Sequence, residues 1–140
     1  MSKKNTLGKN ERLKSRKRIE KLFREGKSFS IFPYKIFYTV DHLPLTTAHL
    51  LLPVQAGFSA SSKNFKRAVD RNRIKRLTRE CYRLQKKYLY EVAVKNNVQL
   101  AVFFIYTAKE LPEYKTVYEK MGVILQRLIK IIDEKNLSGA

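Results

Sequence analysis

The stretch Phe65–Arg83, FKRAVDRNRIKRLTRECYR, sets eight lysines and arginines in 19 residues around a periodic apolar row. A chain with this pattern has few ways to fold. It forms a helix with one side in the protein interior and the other facing something strongly negative. At about 100° per residue, Ile74, Leu77, Cys81, Leu84 and Tyr88 fall in a sector roughly 80° wide. Arg71, Asn72, Lys75, Arg76, Arg79, Arg83 and Lys86 spread over roughly 140° of the opposite side. Asp70 and Glu80 are the only acids from Lys63 to Lys87. Like charges at Arg71, Lys75, Arg79 and Arg83 repeat at i, i+4 and destabilise the free helix. A solvated surface helix would mix both signs. This one calls for an external polyanion, and the phosphate backbone of a nucleic acid fits that need.

The net charge of +18 over 140 residues is concentrated in two segments. Residues 1–27 carry 11 basic and 3 acidic groups, and residues 63–87 carry 11 and 2. Residues 28–62 balance one against one, and residues 88–140 carry 7 against 6. The helix lacks the broad exposed apolar face that insertion into a membrane surface requires. No run approaches 18 apolar residues, and no apolar segment follows the basic N-terminus, so neither a membrane span nor a secretory signal is expected. Cys81, the single cysteine, sits in the apolar row as a small core residue. These features fit a cytoplasmic location.

The length suits one domain with a real core. Residues 1–10 read as a flexible basic arm, 11–135 as the domain and 136–140 as a tail. Ser15 to Gly26 reads as a short helix, with Ser15 as N-cap, the row Ile19, Leu22 and Phe23, and Gly26 at C′. Phe29–Val40 is strand-like, with Pro33 at a bend or strand start, and from Tyr34 its side chains alternate between two faces. Asp41–Leu45 reads as a turn. Ala48–Val54 and Gln55–Ser61 read as strand segments bent near Pro53 and Gly57. The basic helix then runs from somewhere between Ser62 and Asp70 to about Tyr90. After a turn at Lys95–Asn97, the apolar run Val98–Thr107 reads as a central strand buried on both faces. Glu113–Glu134 is an amphipathic helix. The order is αβββαβα or αββαβα, an α+β fold built as a two-layer α–β sandwich.

The residues offer no catalytic constellation. His42 and His49 flank a proline-containing turn, far in sequence from Cys81, and do not read as a metal site. The acids are scattered, and no glycine-rich phosphate loop occurs. If the chain belongs to an enzyme, another component supplies the catalytic centre.

Within AVDRNRIKRLTRE, the segment Arg71–Arg79, RNRIKRLTR, resembles the RNR motif of the protein subunit of bacterial ribonuclease P, the ribonucleoprotein that removes 5′ leaders from precursor tRNA. Residues 12–27, 35–40, 55–62 and Val98–Tyr106 resemble the family's first helix and strands. The resemblance spans roughly 9–132 and is strongest over 65–83. It implies a sandwich like that of a ribosomal-protein domain, with a left-handed β–α–β connection carrying the RNR helix, contrary to the usual hand. It also implies catalysis by the RNA subunit, with Mg²⁺ held mainly by RNA and no protein residue catalytic or metal-ligating. The implied partners are the catalytic RNA subunit and precursor tRNA, with neither a membrane nor an obligatory protein partner.

The resemblance assigns binding of the RNA subunit to Lys66, Arg67, Arg71, Asn72, Arg73, Lys75, Arg76 and Arg79. Arginine forks phosphates bidentately, and lysine adds a point charge. Arg73 lies nearer the apolar edge and also has a packing reading. For the leader, the family uses aromatics on the first helix and an early strand. Phe23 matches the helix position, and Ile19 stands where an aromatic is common. Tyr38 is the favoured strand aromatic, with Phe37 one residue away. Ser62 and Lys63, in the strand-to-helix turn, are further candidates. Phe23 and Tyr38 also have a plain core reading. A non-enzymatic RNA-binding protein, such as a ribosomal protein, is the alternative from another class.

Overall fold

The computed structural model describes residues 11–42 and 53–138. The elements are α1 (Arg16–Glu25), β1 (Lys27–Ile31), β2 (Tyr34–His42), β3 (Val54–Ala60), α2 (Ala68–Gln85), α3 (Lys87–Lys95), β4 (Val98–Tyr106) and α4 (Tyr114–Ser138). The expected arm 1–10, the turn beyond His42, His49 and the strand segment 48–52 lie outside the described residues. So do 139–140 of the expected tail; 136–138 belong to α4 instead.

The strands form one sheet in the order β1-β2-β4-β3, antiparallel except for the parallel pair β3–β4. Parallel neighbours need a long crossover, and α2 with α3 supplies it. The apolar run of β4 sits between β2 and β3, as its lack of polar alternation requires. Leu100, Val102, Phe104 and Tyr106 face the layer made by α2, α3 and α4. They join Tyr34, Ile36, Ile74, Leu89, Met121 and Leu128 in the main core. The Tyr34 hydroxyl, buried there, bonds the Thr78 hydroxyl at 2.7 Å, which donates to the Ile74 carbonyl at 2.9 Å. Each polar group taken from water thus keeps a partner.

The basic helix departs from expectation in two ways. It ends at Gln85 and a separate helix starts at Lys87, and the Lys86 between them is buried, with its ammonium paired to Glu11 at 2.6 Å. Its buried side holds Ile74, Thr78, Cys81 and Tyr82, while Leu84 and Tyr88 are exposed. The interior sector is therefore turned toward Arg71, and Lys86 leaves the cationic side altogether.

The sheet's other face is only partly covered. There α1 and Leu13 bury Leu22 and Phe103, with Ile19, Phe37, Ala101 and Ile105 half-buried around them. The Ser15 side chain caps α1 by accepting from the Arg18 amide, and Arg18 also reaches Gln55 on β3. Gly26 follows the helix in an extended conformation (φ −77°), not the left-handed one expected at C′. Its need is space: a Cβ there would lie 2.4 Å from the Leu22 carbonyl oxygen. The sandwich therefore has two full layers, with α1 as a partial third.

Candidate nucleic-acid interface

Two surfaces gather the residues singled out by sequence. The first is the outer side of α2. Asn72, Arg73 and Arg76 are exposed, and Lys75 and Arg79 are half-buried. No ion pair among the described residues involves Arg67, Arg73, Lys75, Arg76 or Arg79. Arg71 differs, because its guanidinium donates to the Phe65 and Lys66 carbonyls at 2.7 and 2.8 Å, bracing the loop into the helix. Arg83 is held by Glu80 at 2.7 Å. Lys66 and Arg67 are exposed just ahead of α2, with Arg67 at its N-cap position.

Asn72, Lys75, Arg76 and Arg79 line one side of a cleft of about 410 Å³. Its floor is Ala56–Phe58 on β3, and Arg12 and Lys14 form the other side. Sequence reasoning missed these last two. They lie in the basic segment 1–27, but that they reach α2 depends on a bridge between Arg12 and Ala56. Burial, then the neighbouring charges of Arg12 and Arg76, hold the Arg79 guanidinium below its ordinary pKa. Cations gathered this closely form a strong field for an anion. The cleft does not fit a protein-held Mg²⁺, since Asn72 offers its only uncharged polar side chain.

The second surface is the open sheet face. Phe23, 42% exposed, stands against Phe37 at 4.9 Å and edge-on to Phe103 at 5.2 Å between ring centroids. The Lys35 ammonium lies 5.1 Å from the Phe37 ring centre, within cation–π range. Tyr38 points to the opposite face and packs on Phe29 at 5.8 Å. The strict alternation of β2 makes the two positions exclusive, so the aromatic beside Phe23 is Phe37 rather than the favoured Tyr38. Ile19 packs under α1 with Leu13 and Leu22. Ser62 and Lys63 are exposed in the turn after β3, which leaves the sheet beside the end of β4. Phe103 was not anticipated, although alternation along Val98–Tyr106 puts it on the face of Ile105.

Comparison with known proteins decides the family. The sequence model of the family described as Ribonuclease P matches residues 7–129. The chain belongs to the ribonuclease P protein family. It is 37% identical over 122 residues to the ribonuclease P protein component of Porphyromonas gingivalis strain W83, covering 87% of this chain and 85% of the relative. To the component from Chlorobium phaeobacteroides it is 32% identical over 133 residues, covering 89% and 88%. The RNase P protein from Thermotoga maritima has a similar fold, with a TM-score of 0.63 at 24% identity, covering 84% of this chain and 96% of that one. The Staphylococcus aureus RNase P protein gives a TM-score of 0.63 at 18% identity, covering 84% and 94%. As a ribonuclease P protein component, the chain is a subunit of a tRNA-processing ribonucleoprotein endonuclease that contains an RNA subunit. The mixed α+β fold agrees with that family. No helix of the described residues is long and apolar enough to cross a membrane.

Proposed function

We propose that the two surfaces divide the work of a ribonuclease P protein between two RNAs. The outer side of α2 docks on phosphates of the catalytic RNA subunit through Asn72, Arg73, Lys75, Arg76 and Arg79, with Lys66 and Arg67 at its start. Arg71 acts there chiefly by bracing the loop. The open sheet face takes the single-stranded 5′ leader of precursor tRNA. Phe23 and Phe37 stack on its bases, and Lys35, Ser62 and Lys63 lie along the strip toward the end of β4. Mg²⁺ for phosphodiester hydrolysis is held mainly by RNA, and the protein's part is to bind and position.

The observation that carries this reading is Phe23, a large aromatic left 42% exposed on a floor of two further rings. Stacking of this kind tolerates any base and contributes about 1–3 kcal/mol per base. An enzyme acting on many leaders needs that tolerance. The test compares affinity for precursor and mature tRNA in the reconstituted holoenzyme with wild type and Phe23→Ala. Selective loss for the precursor is expected, and equal loss for both RNAs would refute leader contact. Failure of the protein to stimulate 5′ maturation by the RNA subunit at low Mg²⁺ would refute the wider assignment.

A further inference from the structure

Glu11 and Arg12 are neighbours of opposite charge, and the fold uses them in sequence. The Glu11 carboxylate accepts from the Lys86 ammonium and from the Tyr90 hydroxyl, each at 2.6 Å. The pair is largely withdrawn from water, with side-chain exposures of 15% for Glu11 and 5% for Lys86. The Lys86 ammonium also lies 5.2 Å from the Tyr90 ring centre. On the other side of Arg12, the Leu13 amide donates to the Ala56 carbonyl at 2.8 Å, and the Leu13 side chain is buried with Leu22 and Phe103. Arg12 is therefore pinned from both flanks. Its guanidinium enters the cleft of Lys75, Arg76 and Arg79. There its Nε is buried without a hydrogen-bond partner among the described residues.

A buried donor on a cation, set among other cations, carries a desolvation cost that the protein itself does not offset. A phosphate drawn to the Arg12 guanidinium in the cleft would offset that cost by the opposite charge it brings. A buried ion pair, for its part, contributes little net stability over an apolar pair, and its best-attested role is to fix registry. We propose that Glu11 is a positioning residue: its clamp on Lys86 and Tyr90 holds residues 11–13 on the edge of β3 and thereby makes Arg12 a phosphate-binding member of the RNA interface. An acid in a protein that binds a polyanion thus strengthens binding through geometry, against the sign of its own charge. This rests on the reading that the outer side of α2 faces the RNA subunit.

The test measures affinity of the full chain for the RNA subunit across a salt series. The double variant Glu11→Ala/Lys86→Met removes the clamp at no change in net charge and leaves no orphaned ammonium. Plain electrostatics therefore gives it an unchanged salt slope. The positioning role gives about a tenfold loss of affinity and a slope shallower by about 0.7–0.9, the value for one phosphate. Arg12→Ala should match it, and adding Arg12→Ala to the double variant should cost nothing further. Tyr90→Phe, which leaves the Lys86 pair in place, should show a smaller loss in the same direction and serves if the double variant does not fold. An unchanged slope in Arg12→Ala, or additive losses in the triple variant, overturns the proposal. Lys75→Ala separates the two levels: if it lowers the slope while Arg12→Ala does not, only this inference fails. If neither does, the docking assignment of α2 fails with it.

Discussion

The sheet has a sealed face and an open one, and they are built from alternate residues of the same strands. On β4, Leu100, Val102 and Phe104 are fully withdrawn under three helices, while Ala101 and Ile105, one residue away, are half-exposed under the single helix α1. On β2 the same alternation separates Ile36 from Phe37. One face is committed to stability. The other leaves apolar and aromatic surface partly uncovered, and it is the face proposed above to take the leader.

The largest contrast should come from equivalent truncations on the two faces. Phe104→Ala should cost about 3–5 kcal/mol of stability in urea denaturation, because it opens a cavity between β4, Phe58 and Tyr82. A loss below about 1 kcal/mol would remove the distinction between the faces. Cys81 probes the same seal without mutation. Burial, then the nearby Glu80 charge, pushes its thiol up to about 11. At pH 8 the thiolate, the reactive form, should thus be about 100-fold scarcer than for an unperturbed thiol. Iodoacetamide followed by mass spectrometry should label it only after urea is added, and prompt labelling of the native protein would show the seal to be open.

Phe23→Ala should reverse the pattern, with little change in the urea midpoint but a loss of about 1–3 kcal/mol in precursor tRNA affinity. A stability loss as large as that of Phe104→Ala would return Phe23 to the core. Arg76→Ala, on neither face, should weaken docking of the RNA subunit and make the salt slope shallower by about 0.7–0.9, with leader discrimination intact. A changed preference for precursor over mature tRNA would show that the two surfaces are not separate. The smallest effect belongs to Lys35→Ala, about 0.2–1 kcal/mol of leader affinity from one exposed cation lost beside Phe37. Isothermal titration with a leader-bearing precursor should resolve it from zero.

What could be read in the sequence was what local pattern determines. Ser15 caps α1, the nearly continuous apolar run of Val98–Tyr106 is the central strand, and the cations of α2 stand away from the core. What escaped depended on distant partners. The burial of Lys86 is invisible locally, because its partner Glu11 lies 75 positions earlier. The turning of α2 about its axis follows from Thr78, whose polarity hides it from an apolar count until Tyr34 offers it a hydroxyl. Phe37 and Tyr38 are both aromatic, and only the pairing of β2 with β4, which sets Phe37 across from Phe103, decides which one meets Phe23. Arg12 was one cation among eleven in the segment 1–27, and only the bridge to Ala56 on the edge of β3 sets it opposite α2.

Gly57 lies directly across from Phe103 in the parallel pair, and the edge of that ring fills the space where a side chain would begin: a methyl there would sit 2.4 Å from a ring carbon. The aromatic floor beneath Phe23 is therefore recessed by one hydrogen atom on a neighbouring strand. Any larger residue at 57 would have to be matched by a smaller one at 103, and Phe23 would then lose its footing. The two positions form a single packing unit, so the shape of the groove is constrained from the neighbouring strand, by a residue that contributes no side chain at all.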